Sequence, residues 1–275
     1  AGDHIELFLE RVHISSRLWV DDQFIGQARS LSVPHVYDLT DYLTPGTHTL
    51  TLLIDNTLRW GITSGASSVS DDCQTNWNGV IGRMELRRYP PVWIKKLTPV
   101  LETDSEKIRI KMAFGSLRSE PVSGRVRVDV YPLKGDQPGE RVGMLEFDLN
   151  IENSTGEVEK SIVLDAPVRL WDEFTPDLYQ LRARLDFEAG GRKYSDHSTV
   201  RFGLRNFERQ GRKVLMNGRS VFLRGTLECG VSPLTGHPSA QAAQWRKIFR
   251  QASAYGINHF RFHCWCPPEA DFDAG

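Results

Sequence analysis

The sequence predicts a mainly β protein, in which two β-sandwiches precede the opening of an α/β domain. Short β-rich runs separated by turn residues recur through residues 5–202, and several of them alternate apolar with charged side chains. Many short strands at such spacing are typical of sandwiches. After residue 203 a helical pattern stands between two strand-like runs, which happens nowhere earlier in the chain. A strand–helix–strand succession implies a right-handed crossover between parallel strands.

The overall composition excludes several classes of protein. The 275 residues include 34 basic and 35 acidic side chains without a basic stripe, so we expect no nucleic-acid partner. The longest apolar runs are of strand length, so we expect no membrane span. Residues 1–4 lack the basic, apolar and small-residue succession of a signal peptide. Four cysteines in a chain of this length do not predict a disulfide scaffold.

Residues 1–90 are predicted to form the first sandwich. Its main strand candidates are Ile5–Val12, Arg17–Val20, His48–Ile54 and Val80–Leu86. Turn residues at Asp21–Gln23 and at Pro45-Gly46 separate these runs. Residues 61–79, rich in Gly, Ser and Asp, are too many for a hairpin turn, so they predict a loop with a function or a tether.

Residues 91–205 are predicted to form the second sandwich. Pro90 and Pro91 mark its beginning, because paired prolines end a strand and stiffen a linker. Three runs alternate cleanly between an apolar and a charged face: Lys107–Met112, Gly124–Val130 and Leu178–Leu185. Such two-sided strands, in a unit of about 110 residues, favour an immunoglobulin-like sandwich.

Residues 206–275 are predicted to open an α/β domain, with strand-like runs at Val221–Cys229 and Asn258–Pro268. Ser239–Tyr255 is predicted to be a helix that ends at Gly256, with one apolar face formed by Ile248, Phe249, Ala252 and Tyr255. Two parallel strands and one helix cannot cover both faces of a sheet. We therefore expect this segment to lean on the second sandwich, to exchange with a symmetry partner or, as the favoured case, to belong to a longer chain.

Seven motifs follow one another along the chain: Leu9–Val12, Leu18–Val20, Thr75–Gly82, Leu170–Tyr179, Phe202–Arg205, Leu215–Gly218 and Phe222–Thr226. These motifs and their order resemble glycoside hydrolase family 2, which includes β-galactosidases, β-glucuronidases and β-mannosidases. The resemblance implies an N-terminally shortened jelly-roll sandwich of the galactose-binding type over 1–90. An immunoglobulin-like sandwich over 91–205 and the first βαβ of a (β/α)8 TIM barrel over 206–275 would follow.

The resemblance also implies an activity. Family members hydrolyse β-linked glycosides with retained configuration, using two glutamates at the carboxyl ends of later barrel strands. Both glutamates are expected beyond Gly275, so we expect the 275-residue chain by itself to be inactive. The alternative is a non-catalytic carbohydrate-binding or scaffold protein built from the two sandwiches. No cofactor is implied, whereas a carbohydrate substrate, a periplasmic or extracellular location and a homo-oligomer are compatible with the family.

The candidate substrate-binding residues are Arg261, His263, Trp265, Glu228, Trp77 and Asn78. Arg261 matches an arginine of the family's second barrel strand, and the strand period of two would turn His263 and Trp265 inward with it. Phe260, Phe262 and Cys264 would then face the helices.

Each candidate also has a purely structural interpretation. Arg261 could pair with a carboxylate, and Trp265 could fill the core. Glu228, at the end of the first strand, could face the same pocket, although an ion pair with Arg261 or Arg224 is favoured. Trp77, between two asparagines, could stack on a sugar or, as we favour, wedge the first sandwich against the barrel.

Cys229, Cys264 and Cys266, together with His263, raise the question of a metal site or a disulfide. Adjacent parallel strands bring their ends within about 5 Å, so a disulfide from Cys229 is geometrically conceivable. The two-residue spacing between cysteines that is usual in zinc sites is missing. We therefore predict unpaired, packed thiols and no metal.

Overall fold

The computed structural model describes residues 2–57, 61, 64–67, 69–70, 72, 76–101 and 107–275. In this part of the chain the protein is mostly strand, as the sequence predicts. The chain divides into two compact units. We call Ile5–Arg88 with Leu223–Gly275 the mixed unit, and Ala1–His4 with Tyr89–Phe222 the all-β unit. The domain bounds predicted at residues 90 and 205 stay a prediction.

The first sandwich belongs to the mixed unit. Its strands are β1 (His4–His13), β2 (Ser15–Val20), β3 (Gln23–Arg29), β4 (His35–Asp38), β5 (Leu50–Asp55) and β6 (Gly79–Tyr89). They form two three-stranded sheets, with the strand orders β4-β1-β6 and β3-β2-β5. Its buried core is Leu7, Leu9, Val12, Leu18, Val20, Tyr37 and Leu39. The turn predicted at Asp21–Gln23 is confirmed, since Asp21 joins β2 to β3 with a φ of 52°.

The second sandwich belongs to the all-β unit. Its strands are β7 (Val92–Leu101), β8 (Lys107–Ser116), β9 (Val122–Lys134), β10 (Gln137–Pro138), β11 (Gly143–Ile151), β12 (Thr155–Val163), β13 (Tyr179–Ala189) and β14 (Arg192–Phe202). One sheet has the order β10-β9-β13-β14 with β11 also paired to β9, and the other has the order β12-β8-β7. The predicted alternation holds in β9, where Val126, Val128 and Val130 are fully buried.

A three-stranded antiparallel sheet follows the second sandwich in the all-β unit. It contains β15 (Phe207–Gln210), β16 (Lys213–Met216) and β17 (Arg219–Val221). Asn217 and Gly218 connect β16 to β17 with φ values of 52° and 75°, the left-handed pair that a tight hairpin turn requires. The run predicted as one strand from Val221 to Cys229 therefore splits, because Val221 ends this hairpin and Gly225 begins the next strand.

The strand–helix–strand unit belongs to the mixed unit, and we call residues 223–275 the crossover segment. It contains β18 (Gly225–Glu228), α1 (Ala242–Ala254), β19 (His259–Phe262) and α2 (Glu269–Phe272). The predicted parallel pair is confirmed, with Gly225 opposite His259 and Glu228 opposite Phe262. A (β/α)8 barrel is built from such units, and that this one begins a barrel stays a prediction.

Helix α1 covers one side of the parallel pair, although with a different face than the sequence predicts. Trp245 is its buried residue, and the rings of Phe249 and Phe262 lie 6.0 and 6.1 Å from the Trp245 ring. The predicted face was wrong at Ile248 and Tyr255, which are 42% and 79% exposed. The predicted helix end is confirmed, because Gly256 follows with a φ of 77°.

Candidate functional site

A buried carboxylate fixes the crossover segment to the first sandwich. Glu10, on β1, is 5% exposed. Its Oε1 accepts a hydrogen bond from the backbone N–H of Glu269, at 3.1 Å, and its Oε2 accepts from the backbone N–H and Nε of Arg83, at 3.0 and 3.2 Å. Arg83 also pairs with the Glu269 carboxylate. The crossover segment therefore leans on the first sandwich, a contact that the sequence suggested only through Trp77.

The surroundings of Glu10 favour its charged form. Burial raises the pKa of this carboxyl, but the hydrogen bonds from the backbone N–H groups of Arg83 and Glu269 and from the Arg83 guanidinium outweigh burial and hold the pKa below its ordinary value. Gly82 makes room for the carboxylate, since its φ is 78° and a Cβ at this position would lie 2.6 Å from Glu10 Oε2. The glycine of the Val-Ile-Gly motif thus has a packing role at this junction.

Arg11, next to Glu10, makes a second connection between the same two parts. It is 9% exposed. Its Nη2 donates to the carbonyl oxygen of Pro267 at 2.7 Å and to the Sγ of Cys266 at 3.4 Å. Its Nε is buried and has no hydrogen-bond partner in the part of the chain that the structure describes. A fixed positive charge therefore lies under the turn that follows β19.

Trp77 lies against His13 at the end of β1, with ring centroids 4.6 Å apart and an interplanar angle of 22°. The His13 Nε2 is 3.3 Å from the Asn76 side-chain oxygen, and burial lowers the pKa of this imidazole. Trp77 also lines a cavity together with residues of the crossover segment. Asn78 is exposed. A role for either Trp77 or Asn78 in sugar binding stays a prediction.

The cavity between the two parts of the mixed unit is small, at about 30 Å³. The first sandwich contributes Arg11, His13, Leu31, Ser67, Val69, Trp77 and Ile81, and the crossover segment contributes Pro238, Cys264, Trp265, Cys266 and Pro268. A buried water needs roughly 10–15 Å³ of such cavity volume. The cavity therefore has room for about two waters.

Arg261 lies on the uncovered face of the parallel pair. It is exposed and stands opposite Leu227, which is also exposed. Among the described residues, no hydrogen-bond or ion-pair partner of its guanidinium is found, so the structural alternative of a carboxylate partner finds no support there. His263 is the first residue after β19. Its backbone N–H donates to the Glu228 carbonyl at 2.8 Å, and its Nδ1 is 3.4 Å from Ser67 Oγ.

The expected direction of Trp265 was wrong. Its ring lies on the α1 side, 5.3 Å from the Phe262 ring and 6.4 Å from the Trp245 ring, and its Nε1 donates to the Glu228 carbonyl at 3.2 Å. The period of two fails because β19 ends at Phe262 and Cys264 takes a φ of 61°. For the same reason Cys264, expected to face the helices, is exposed and lines the cavity. Phe260, by contrast, packs on Phe249 of α1 as predicted.

The ion pair favoured for Glu228 is not found among the described residues. Glu228 stands opposite Phe262 and shares its side of the sheet, away from Arg261. Its Oε2 accepts from the backbone N–H of Gly230 at 2.9 Å, and burial raises the pKa of the carboxyl. Arg224 donates its Nε to the Gly256 carbonyl instead.

The sequence reasoning missed three charged residues that the structure buries. Glu10 and Arg11 directly follow the apolar run Leu7–Leu9 of β1, and this change of character was a signal that could have singled them out. Asp271, in α2, is 4% exposed, and its Oδ1 has no partner among the described residues. Burial, and then the nearby charge of Glu228, raise the pKa of Asp271 to about 6.

Within the described ranges, no group of three or more His, Cys, Asp or Glu side chains is arranged to hold a metal ion. Cys229, Cys264 and Cys266 are free thiols, and Cys73 lies outside the described residues. No described helix combines the length and apolar character needed to cross a membrane.

Comparison with known proteins gives three findings. The family model of the glycosyl hydrolases family 2 matches residues 94–205. A β-galactosidase of Pectobacterium atrosepticum is 24% identical over 246 residues, which are 88% of this chain and 23% of that protein. The crystal structure of a Bacteroides uniformis β-glucuronidase superposes with a TM-score of 0.81 at 19% identity, covering 99% of this chain and 32% of the other.

A second solved structure, a family 2 β-galacturonidase of Eisenbergiella tayi bound to galacturonate, superposes with a TM-score of 0.76 at 20% identity and covers 99% of this chain and 46% of that one. At these identities the structural likeness shows the fold alone. The chain spans less than half the length of each of these relatives. The family model over residues 94–205, the curated relative and the fold agree in their similarity to the glycosyl hydrolases family 2.

Proposed function

We propose that this chain acts as part of a glycosidase that hydrolyses β-linked glycosides with retention of configuration. The observation that carries the proposal is the parallel pair β18–β19, which follows a segment matched by the family model and presents Arg261 on an uncovered face. Relatives bear the names β-galactosidase and β-glucuronidase. In this chain two sandwiches precede a parallel crossover, which is the order that the resemblance implies for the family. This shared order supports the same type of reaction.

Retaining hydrolysis needs two carboxyl groups about 5–5.5 Å apart, one as nucleophile and one as acid/base. We propose that both come from barrel strands that follow β19. In this arrangement the described chain supplies binding groups. Arg261 would donate hydrogen bonds to sugar hydroxyl or carboxylate oxygens, and His263 would add a donor or acceptor beside it. Trp265 and Glu228 would shape the wall behind them, since their side chains face α1.

The test uses the complete protein and a panel of p-nitrophenyl β-glycosides that includes galactosides, glucuronides and galacturonides. We expect release of p-nitrophenol from at least one of them, and an initial product of the same anomeric configuration as the substrate, measured by NMR. Arg261→Lys should lower kcat/KM by about 100-fold, because a fixed bidentate donor at the reacting sugar is lost. The matched control is Arg125→Lys, which makes the same change at an exposed side chain of the second sandwich.

Two outcomes would contradict the proposal. Inversion of configuration would exclude double displacement. Micromolar sugar binding by the complete protein with no turnover on any glycoside would favour the non-catalytic carbohydrate-binding protein. The 275-residue chain alone should release no p-nitrophenol, because a retaining mechanism fails without both carboxylates.

We propose a periplasmic or extracellular location as well, on the family resemblance alone. Fractionation of the source cells followed by immunodetection tests it, and recovery of the protein only with cytoplasmic markers would contradict it.

A further inference from the structure

Two cysteines with one residue between them line the same small cavity. Cys264 is exposed and Cys266 is half-buried, and both belong to the turn that follows β19. Residues i and i+2 of an extended chain are separated by about 6.6 Å, near the upper limit for a disulfide, which is about 6.8 Å between Cα atoms. The chain bends at Cys264, where φ is 61°. The bend shortens this separation, and both residues line the same cavity.

Arg11 gives Cys266 an electropositive environment. The guanidinium is nine-tenths buried, and its Nη2 donates to Cys266 Sγ at 3.4 Å. Its Nε lacks a partner within the described residues, and Arg11 lines the same cavity. The contact in which the Cys266 thiol itself would donate, to Pro267 O, is longer at 3.7 Å. The reactive cysteines of proteins lie in partly exposed, electropositive surroundings, and the Arg11 guanidinium gives Cys266 such surroundings.

We propose that Cys266 and Cys264 form a thiol modification site, at which a low-molecular-weight disulfide is exchanged for an intramolecular Cys264–Cys266 disulfide. The Cys266 thiolate attacks one sulfur of the small disulfide, forms a mixed disulfide and releases one small thiolate. The Cys264 thiolate then attacks the Cys266 sulfur, closes the protein disulfide and releases the second thiolate. Two protein thiols are oxidised and one small disulfide is reduced to two thiols, so atoms and electrons balance.

The site goes beyond glycoside hydrolysis, because neither cysteine is needed for the proposed reaction. The remaining described cysteine provides an internal comparison. Cys229 is also half-buried, but no contact between it and Arg11 is found among the described residues. If charge and geometry control reactivity, Cys266 should react faster than Cys229 in the same molecule.

The experiment treats the reduced protein with oxidised glutathione at pH 7 and follows each cysteine by intact mass and peptide mapping. Cys73 is replaced by Ser in every variant so that it does not contribute. We expect a final product with an internal disulfide between Cys264 and Cys266. Cys264→Ser should stop at one glutathionyl group on Cys266, and Cys266→Ser should slow the first exchange by about 10-fold or more. The matched control Cys229→Ser should react like the parent.

The role of Arg11 is tested by Arg11→Met and by Arg11→Lys, with circular dichroism to confirm folding. Loss of the charge in Arg11→Met should slow exchange at Cys266 by about 10-fold and leave Cys229 unchanged, whereas Arg11→Lys should retain part of the rate. If Arg11→Met does not fold, the cysteine variants alone decide. Equal reactivity of Cys266 and Cys229, or a mixed disulfide on Cys266 that Cys264 never resolves, would overturn the proposal.

Discussion

The two compact units bury different kinds of side chain. The all-β unit has a large apolar core, and within its described residues the buried polar side chains are those of His4 and Ser116. The mixed unit has a smaller apolar core and, in its described part, buries Glu10, Arg11, His13, Ser16, His35, Ser67 and Asp271. Both units contain a β-sandwich, and the mixed unit also contains the crossover segment.

The difference in buried polar side chains reflects which parts of each unit are held in a fixed geometry. Buried polar groups need partners, and partners fix geometry. In the mixed unit, Ser16 Oγ lies 2.6 Å from His35 Nδ1 and 2.7 Å from the Tyr37 hydroxyl, and Glu10 and Arg11 bind the turn after β19. The buried side chains of the all-β unit are mostly apolar and are held by packing. We therefore expect its stability to depend on packing, and that of the mixed unit to depend on hydrogen bonds and pH.

The largest expected effect is a cavity in the all-β unit. Phe114 on β8 is fully buried, so Phe114→Ala should lower the free energy of unfolding by about 3–5 kcal/mol, because the surrounding core relaxes only in part. Urea unfolding followed by circular dichroism measures it. The loss should be the same at pH 5 and pH 8. Phe174→Ala is the control, since Phe174 is 82% exposed, and a loss below 1 kcal/mol for Phe114→Ala would contradict the packing argument.

The next effect concerns the buried carboxylate of the mixed unit. Glu10→Gln removes the charged acceptor of three hydrogen bonds and should lower the free energy of unfolding by about 2 kcal/mol at pH 7. The folded pKa of Glu10 is lowered, so the stabilisation is present above the unfolded pKa and is lost as pH falls through the folded pKa. Urea unfolding between pH 3 and pH 7 measures both quantities.

Glu159→Gln is the matched control for Glu10, because Glu159 pairs with Arg109 and Lys111 on an exposed face. A difference between Glu10→Gln and the parent protein that stays constant down to pH 3 would show that the charge of Glu10 is not the stabilising feature.

A smaller effect of opposite sign is expected at Asp271. Its folded pKa of about 6 is above the ordinary value of 3.8, so the folded state binds the proton more strongly and stability falls as pH rises between these values. Asp271→Asn should therefore stabilise the protein by about 1 kcal/mol at pH 7 and have little effect at pH 4. Thermal unfolding at both pH values checks this. Destabilisation at pH 7 would show that the charged form has a partner.

The smallest effect belongs to exposed ion pairs. Arg125 and Asp148 face solvent on neighbouring strands of the second sandwich, with side chains 68% and 82% exposed. Arg125→Gln should change the free energy of unfolding by less than about 0.5 kcal/mol at moderate salt. Urea unfolding at low and high salt tests it, and a loss above 1 kcal/mol would mean that the all-β unit also relies on charge.

The all-β unit was the easier one to predict from sequence. Alternation in Gly124–Val130 identified the buried residues of β9 because a strand period of two assigns each side chain to a face. The parallel crossover was also predictable, since a helical run with Gly256 after it stood between two strands. The buried face of α1 was less predictable from sequence, because Trp245, and not Ile248, packs against the aromatic rings of β19 and of the turn that follows it.

The candidate site could be predicted in part. Arg261 was found through the family resemblance, and its exposed position is compatible with substrate contact. Trp265 was placed on the wrong side because one left-handed residue, Cys264, ends the alternation, and a single sequence carries no signal for that φ. Asp271 was not recognised, since its burial depends on how α2 packs.

The sequence by itself determined the mainly β class, the order of its elements and the parallel crossover, because local periodicity and turn residues act over a few positions at a time. The tertiary structure alone decided that Glu10 and Arg11 fix the crossover segment to the first sandwich. The hydrogen bond from the Glu269 backbone to Glu10 joins residues 259 positions apart. Such a contact depends on the fit of two folded surfaces, which no local pattern encodes.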